Sequence, residues 1–306
     1  MMIEMLWTEK YRPNKLNDIV GQPKFTIDAI AWVKNKNMPN ILLGGVAGVG
    51  KTASAIALAN DMLGEDKENN FFEINASDDR KLETVRTRIK EIASTSKIGD
   101  VPFKIILLDE MDGMTKDAQN ALKRIMERYA DNCRFVITAN DTWKIIAPLL
   151  SRCAVYYFDK IDEETMGIVL KTILENEQIV VAEKSLETFI TYLQGDLRRG
   201  ITELQASVAS GRNLETVIDN HLEPYTRILQ FIADNDYTNA LQGVHNLIHK
   251  STDMRTICNN LHDVILKTDM TGSAKFKLLR IVGEAEWRSS NMTPKVLASW
   301  MIGQMV

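Results

Sequence analysis

Residues 45–52 read Gly-Val-Ala-Gly-Val-Gly-Lys-Thr, the spacing G-x-x-x-x-G-K-T. Glycines at these intervals let the backbone curl until successive N–H groups point inward at one anion. A helix starting near Lys51 would add the positive end of its dipole. Lys51 could then reach the β and γ phosphates of a nucleotide, and the Thr52 hydroxyl could help to hold Mg²⁺. The alternative is an ordinary glycine-rich turn. The flanks match a phosphate loop instead: apolar Ile41-Leu42-Leu43 comes before it and an alanine-rich stretch follows.

A second stretch, Lys-Ile-Ile-Leu-Leu-Asp-Glu-Met-Asp-Gly at 104–113, runs from apolar residues into paired carboxylates. A strand that ends in a carboxylate at the edge of a parallel sheet places it beside bound phosphates. Asp109 suits Mg²⁺ held through water, and Glu110 suits a water to be polarised for attack. Read alone, the same residues could be a buried strand followed by a solvated acidic turn. Asn140 ends the next apolar run and could orient that water, or simply form a turn. Arg152, in Leu-Leu-Ser-Arg-Cys, could pair locally or reach a γ-phosphate across a subunit boundary. Spacing leaves both pairs of alternatives open.

These groups need elements that bring strand ends to one edge. Short apolar runs at 40–45, 71–75, 104–109, 133–139 and 153–158 read as strands. Helical patterns at 51–63, 80–95 and 115–129 lie between them. In 80–95, Leu82, Val85, Ile89 and Ile92 recur at 3/4 spacing and make one apolar face. Such alternation predicts an α/β fold with a parallel sheet covered on both sides. After residue 160 the pattern changes to three short helices at 162–175, 183–194 and 197–210, with 178–182 a weak candidate strand. From 223 helical patterns run to the end, broken near 234–236, 250–253, 270–273 and 291–294.

The 306 residues suffice for roughly two or three domains. Apolar residues make up 45% and charged residues 25%, an ordinary globular composition. No apolar run approaches a membrane span. The N-terminus has no basic region leading into an apolar core, so no secretory leader is expected. Three cysteines, far apart and odd in number, argue against a disulfide framework and for a reducing, intracellular setting. The net charge is −4, so nucleic acid, if bound, must meet a local basic patch.

Several segments then agree on one family. Trp-Thr-Glu-Lys-Tyr-Arg-Pro (7–13), Asp-Ile-Val-Gly-Gln (18–22), the phosphate loop, Ile-Asn-Ala-Ser-Asp (74–78), Ile-Ile-Leu-Leu-Asp-Glu-Met-Asp (105–112), Ala-Leu-Lys-Arg-Ile-Met-Glu-Arg-Tyr (121–129), Leu-Leu-Ser-Arg-Cys (149–153) and Gly-Asp-Leu-Arg-Arg (195–199) stand in order. With them the chain resembles the AAA+ ATPases, and within these the sliding-clamp loaders. It looks most like the small subunits of replication factor C, of archaeal or eukaryotic kind. The resemblance implies an α/β P-loop NTPase core with a parallel sheet over 1–160. A small helical lid would follow over 161–212, and an all-helical C-terminal collar for oligomerisation over 213–306. It implies ATP and Mg²⁺ as cofactors. The implied partners are other loader subunits, in a pentamer with a large subunit, a sliding clamp of the proliferating-cell-nuclear-antigen type and primer–template DNA, with no membrane. The setting would be cytoplasmic in a prokaryote or an infected cell, or nuclear in a eukaryote.

The resemblance also implies roles. Tyr11, Arg12, Pro13 and Val20 would line the adenine pocket. Gly45, Gly48, Val49, Gly50, Lys51, Thr52 and Ala53 would hold the phosphates. Asp109 and Thr52 would serve Mg²⁺, and Glu110 the water. Asn75 would restrain Glu110 until DNA arrives. Asn140 and Arg198 would sense the γ-phosphate, and Arg152 would be a finger acting in trans. One departure is the loop itself, where Val46, Ala47 and Val49 replace the family's usual Pro-Pro and Thr.

The helix at 80–95 carries Arg80, Lys81, Arg86, Arg88 and Lys90. Arg86 and Lys90 are i,i+4 neighbours on one face. Alone the stripe reads as a solvated face; the resemblance puts it on the inner wall of a spiral, facing DNA phosphates. Segment 92–103 resembles the clamp-facing edge, with Ile98 and Phe103 as anchors, or else as core residues of a plain connection. Trp143, Trp287 and Trp300 sit in helical patterns and read as packing residues. His245 and His249 stand at i,i+4, but without a third ligand no metal site is expected. Two rivals remain: another AAA+ DNA motor such as a branch-migration helicase, and a non-hydrolysing scaffold subunit.

Overall fold

A computed structural model describes residues 5–76 and 82–305, except for the side chains of 82–86 and 218–221. The chain divides into two compact units, Met1–Gly211 and Arg212–Val306.

The first unit is built on a parallel five-stranded sheet in the order β2-β3-β4-β1-β5. The strands are β1 (Ile41–Gly44), β2 (Phe71–Asn75), β3 (Lys104–Asp109), β4 (Cys133–Ala139) and β5 (Ala154–Tyr157). Successive side chains along a strand point to opposite faces. Ile41, Leu43, Ile105, Leu107 and Val136 therefore join one core layer with Phe25, Leu58 and Met62. Leu42, Ile106, Leu108, Phe135 and Ile137 join the other with Leu122, Ile125 and Leu149. Covering both faces is why the strands read as near-continuous apolar runs.

Register then decides where the chemistry goes. Gly44 pairs with Ala139 and Asn75 with Asp109. The residues that follow, Gly45, Glu110 and Asn140, thus emerge together at the C-terminal edge of the sheet, beside the start of helix Lys51–Leu63.

Three helices complete this unit: Glu163–Asn176, Glu183–Leu193 and Leu197–Ala209. Asp162 caps the first through the Thr165 N–H and Asp196 the third through the Arg199 N–H. Residues 178–182 form no strand; Val180 is 97% exposed and the run pairs with no strand among the described residues.

The second unit holds five helices among its described residues: Leu214–Ala233, Tyr237–His249, Met254–Lys267, Gly272–Arg288 and Pro294–Gln304. Their apolar faces meet in one core that includes Ile228, Val244, Leu261, Ile281 and Met301. The first helix begins well before 223 because Asn213 caps it through the Glu215 N–H.

Trp143 and Trp287 are 78% and 74% exposed, so they are not the packing residues their spacing suggested. Helical period alone does not say which face looks inward. Trp300 does pack on the core, with the Arg288 guanidinium 4.4 Å from its ring centre. Among the described residues, no helix is long and apolar enough to cross a membrane, and no His/Cys/Asp/Glu cluster could hold a metal.

Burial pushes the thiols up, Cys133 to about 11 and Cys153 and Cys258 to about 12. A thiolate is the nucleophile in alkylation. The native chain at pH 8 should therefore resist iodoacetamide, and mass spectrometry should count three adducts only after denaturation.

Candidate functional site

A cavity of about 330 Å³ opens at the C-terminal edge of the sheet. Its wall includes Tyr11, Arg12, Pro13, Val20, Gly48, Val49, Gly50, Lys51, Thr52, Ala53, Asp109, Glu110, Asn140 and Arg198, all singled out from sequence. Gly45 lies just outside the wall, at the base of the loop, where its carbonyl accepts from Lys51.

The loop owes its shape to glycine. Gly50, at φ 92°, occupies the left-handed region one residue before helix Lys51–Leu63, aiming that helix's free N–H groups into the cavity. Gly48, at φ 81°, is also left-handed, and a Cβ there would collide with the Asp196 carboxylate. Asp196, the cap of helix Leu197–Ala209, thus stands directly against the phosphate loop.

Lys51 is 8% exposed. Its ammonium donates to the carbonyls of Gly45 and Val46, each at 2.7 Å, and to Asn140 Oδ1 at 2.8 Å. Burial pushes it below the usual lysine range, while the carboxylates of Asp109, Asp112 and Glu110 pull it back.

The carboxylate end is equally ordered. Asp109 Oδ1 accepts from the Thr52 hydroxyl at 2.9 Å and from the Thr138 hydroxyl at 2.6 Å. Thr138 in turn accepts the Glu110 N–H at 3.0 Å. Glu110 stands at φ 54°, ψ 44°, a left-handed backbone that few non-glycine residues adopt. Its N–H bond to Thr138 and the Gly113 N–H bond to its carbonyl hold it there. Asp112 accepts from the N–H groups of Asn140 and Asp141 and so locks the end of β4 against the turn after β3.

Thr138, Asp112 and Asp196 were not picked out from sequence. Thr138, 2% exposed, is a hydroxyl residue in the buried, otherwise apolar run from Phe135 to Ala139. A lone hydroxyl of that kind needs a buried partner, and this was the available signal.

Other sequence candidates lie elsewhere. Asn75 ends β2 opposite Asp109, outside the cavity wall. Arg152 is not in the wall either. It precedes β5, where its Nε donates to Glu127 at 2.9 Å and Nη1 to the Pro148 carbonyl at 2.6 Å. Arg88 and Lys90 are exposed on helix Leu82–Ser94. Arg80, Lys81 and the Arg86 side chain lie outside the described residues. Ile98 is 56% exposed, as a docking residue must be. Phe103 is not available for docking. It is 2% exposed in the core beside β3, with the Arg134 guanidinium 4.8 Å from its ring centre. An anchor must be presented at the surface, so Phe103 belongs to the fold.

The sheet and its loop define the class. Residues 41–160 match the model of the ATPase family associated with various cellular activities, the AAA family. The chain is an AAA ATPase and binds nucleotide. A replication factor C small subunit of Methanococcus vannielii is 45% identical over 289 residues, covering 92% of each chain. One from Archaeoglobus fulgidus is 38% identical over 290 residues, covering 92% of this chain and 91% of that one. The chain belongs to the replication factor C small-subunit family, ATPases of the clamp-loading class that act in DNA replication. Among solved structures, the Thermotoga maritima RuvB Holliday junction branch migration motor superposes with a TM-score of 0.58. It is 14% identical, with 82% of this chain and 85% of that one covered, a likeness of fold alone.

A left-handed backbone costs a non-glycine residue roughly 1–2 kcal/mol, and Gly48→Ala adds the collision with Asp196. Gly48→Ala should weaken ATP binding by about tenfold or more, read by titration of a fluorescent ATP analogue, with the far-UV spectrum unchanged.

Proposed function

We propose that this chain hydrolyses ATP at the Lys51–Asp109–Glu110 site as one subunit of a loader that opens a ring-shaped clamp and sets it on primer–template DNA. The observation that carries the reading is the convergence on one cavity of Lys51 with Asn140 and of Thr52 with Asp109.

Lys51 and the N–H groups at the start of its helix bind the β and γ phosphates. Thr52 and Asp109, already hydrogen-bonded to each other, are hard oxygen donors suited to Mg²⁺. Mg²⁺ held there would neutralise phosphate charge. Glu110 polarises the attacking water, and Asn140, held by Lys51, marks the γ-phosphate position. Arg198 reaches the same phosphate from the lid. Asn75 restrains Glu110 until DNA is bound. The catalysis is geometric and electrostatic.

Arg152 is parked on Glu127 outside its own cavity. As a finger it would serve the ATP of a neighbouring subunit, so hydrolysis would depend on assembly. The chain would work as a core over 1–160, a lid over 161–212 and a collar over 213–306 that joins other subunits. The exposed Arg88 and Lys90, with Arg80, Lys81 and Arg86, would meet DNA phosphates. Patches from several subunits around one duplex would sum, which reconciles DNA binding with a net charge of −4. Ile98 would dock on the clamp. The work would be intracellular, away from membranes. Retention of Lys51, Asp109 and Glu110 disfavours a non-hydrolysing scaffold. A strand-free second unit among the described residues disfavours the winged-helix domain expected of a branch-migration helicase.

An arginine finger contributes roughly 10³–10⁵ in rate. In the assembled loader, with clamp and primer–template DNA, Arg152→Ala should lower turnover by at least about a hundredfold at sites bordered by this chain, leaving ATP affinity intact. Full hydrolysis by the lone chain, unmoved by DNA, clamp or the Arg152 change, would sink the loader mechanism. Glu110→Gln should bind ATP normally and hydrolyse it at less than about one hundredth of the rate, in single-turnover assays.

A further inference from the structure

The segment from Met5 to Pro13 forms part of the cavity wall through Thr8, Glu9, Tyr11, Arg12 and Pro13. It is tied to the lid at both ends. Trp7 is 2% exposed, and its backbone N–H donates to Gln205 Oε1 at 2.9 Å. Three and four residues on, the Lys10 ammonium and the Tyr11 hydroxyl both donate to Glu177 Oε1, each at 2.6 Å. Gln205 belongs to helix Leu197–Ala209, and Glu177 is the residue that ends helix Glu163–Asn176. Between the two ties, the Trp7 and Tyr11 rings meet edge to face at 6.4 Å.

Glu177 is nearly enclosed, its side chain 13% exposed, yet it is not in the cavity wall. Its two donors hold its carboxyl below the usual range, so at neutral pH it is an anion that accepts two bonds on one oxygen. Phosphate chemistry gives it nothing to do. Besides Tyr11, the cavity lining includes the apolar side chains of Pro13, Ile19, Val20, Ile161 and Val169. A flat nucleobase fits such a wall, whereas a triphosphate does not. Ile161 and Val169 come from the lid side, so the wall keeps its shape only if the N-terminal segment and the lid stay in register.

We propose that Glu177 is a positioning residue for the nucleobase: it pins Lys10 and Tyr11 to the lid, so that the base wall and the lid close on the nucleotide as one body. This rests on the nucleotide-binding reading of the cavity. The consequence is selective. A ligand with a base uses the preorganised wall, and bare tripolyphosphate does not.

The test is calorimetric titration of the full chain with Mg·ATP and, separately, with Mg·tripolyphosphate, beside thermal melts. Glu177→Ala should weaken ATP about tenfold and leave tripolyphosphate within about twofold. Glu177→Gln keeps an oxygen that accepts both bonds and should stay within about threefold of native for ATP. Tyr11→Phe should lose part of the ATP affinity, and adding it to Glu177→Ala should cost little more, because both remove the same link. Unchanged ATP affinity in Glu177→Ala overturns the proposal. So does an equal loss for both ligands with a lowered melting midpoint, which marks a merely structural role. Should Glu177→Ala fail to fold, Tyr11→Phe decides: an ATP-only loss supports the proposal, and no loss overturns it. Native chain that binds ATP no better than Lys51→Ala would instead refute the nucleotide reading itself, and the proposal with it.

Discussion

A buried ammonium organises this site. Lys51 is taken out of water with no carboxylate among the described residues in hydrogen-bonding contact, its charge met instead by two loop carbonyls and one amide oxygen. Burying a charge is costly unless its donors are satisfied. The three acceptors come from the loop after β1 and the residue after β4, so the lysine is solvated only if those strands pair as they do, Gly44 beside Ala139. The sheet register and the state of the lysine are therefore one constraint. An incoming polyphosphate replaces neutral oxygens by charged ones, which converts a tolerated burial into a favourable one.

The same logic extends to the carboxylate side, where strain substitutes for desolvation. Glu110 is held in a left-handed backbone directly after β3, which is buried up to Leu108. Asp109, the residue before Glu110, accepts from the Thr52 hydroxyl. Thr138 makes the arrangement stable by donating to Asp109 and accepting from the Glu110 N–H. One hydroxyl thus sets both the ligand carboxylate and the strained turn. Asp112 repeats the device on the other side by holding the N–H groups of Asn140 and Asp141.

Much of this was legible in the residues. Strands β2, β3 and β4 fall where apolar runs predicted them: β3 and β4 are buried almost throughout and cannot hide among polar residues, while the edge strand β2 shows through Phe71, Phe72 and Ile74. The phosphate loop was legible because its chemistry is carried by main-chain shape, and shape is written in glycine. What escaped notice depends on distance across the fold. Thr138 and Asp112 matter through partners on other strands, and no local pattern reports such a pairing. Trp143 and Phe103 were misjudged in opposite directions for a related reason: one looked like core and is exposed, the other like a surface anchor and is buried. A large apolar side chain near an element's end gives no periodicity to orient it. The weak strand at 178–182 failed because composition without a pairing neighbour does not make a strand.

The altered phosphate loop shows what the fold tolerates. Val46 points outward, 49% exposed, while its carbonyl accepts from Lys51; any residue offers that carbonyl. Val49 is 1% exposed and packs into the layer that holds Leu58 and Phe158. An apolar group there adds core contact where threonine would bury a hydroxyl. The substitutions leave the glycine-shaped backbone and its cation and hydroxyl in place: Gly48, Gly50, Lys51 and Thr52 remain. Proline would have stiffened the loop from within. Here support comes from without, through Val49 in the core on one side and Asp196, the cap of helix Leu197–Ala209, on the other.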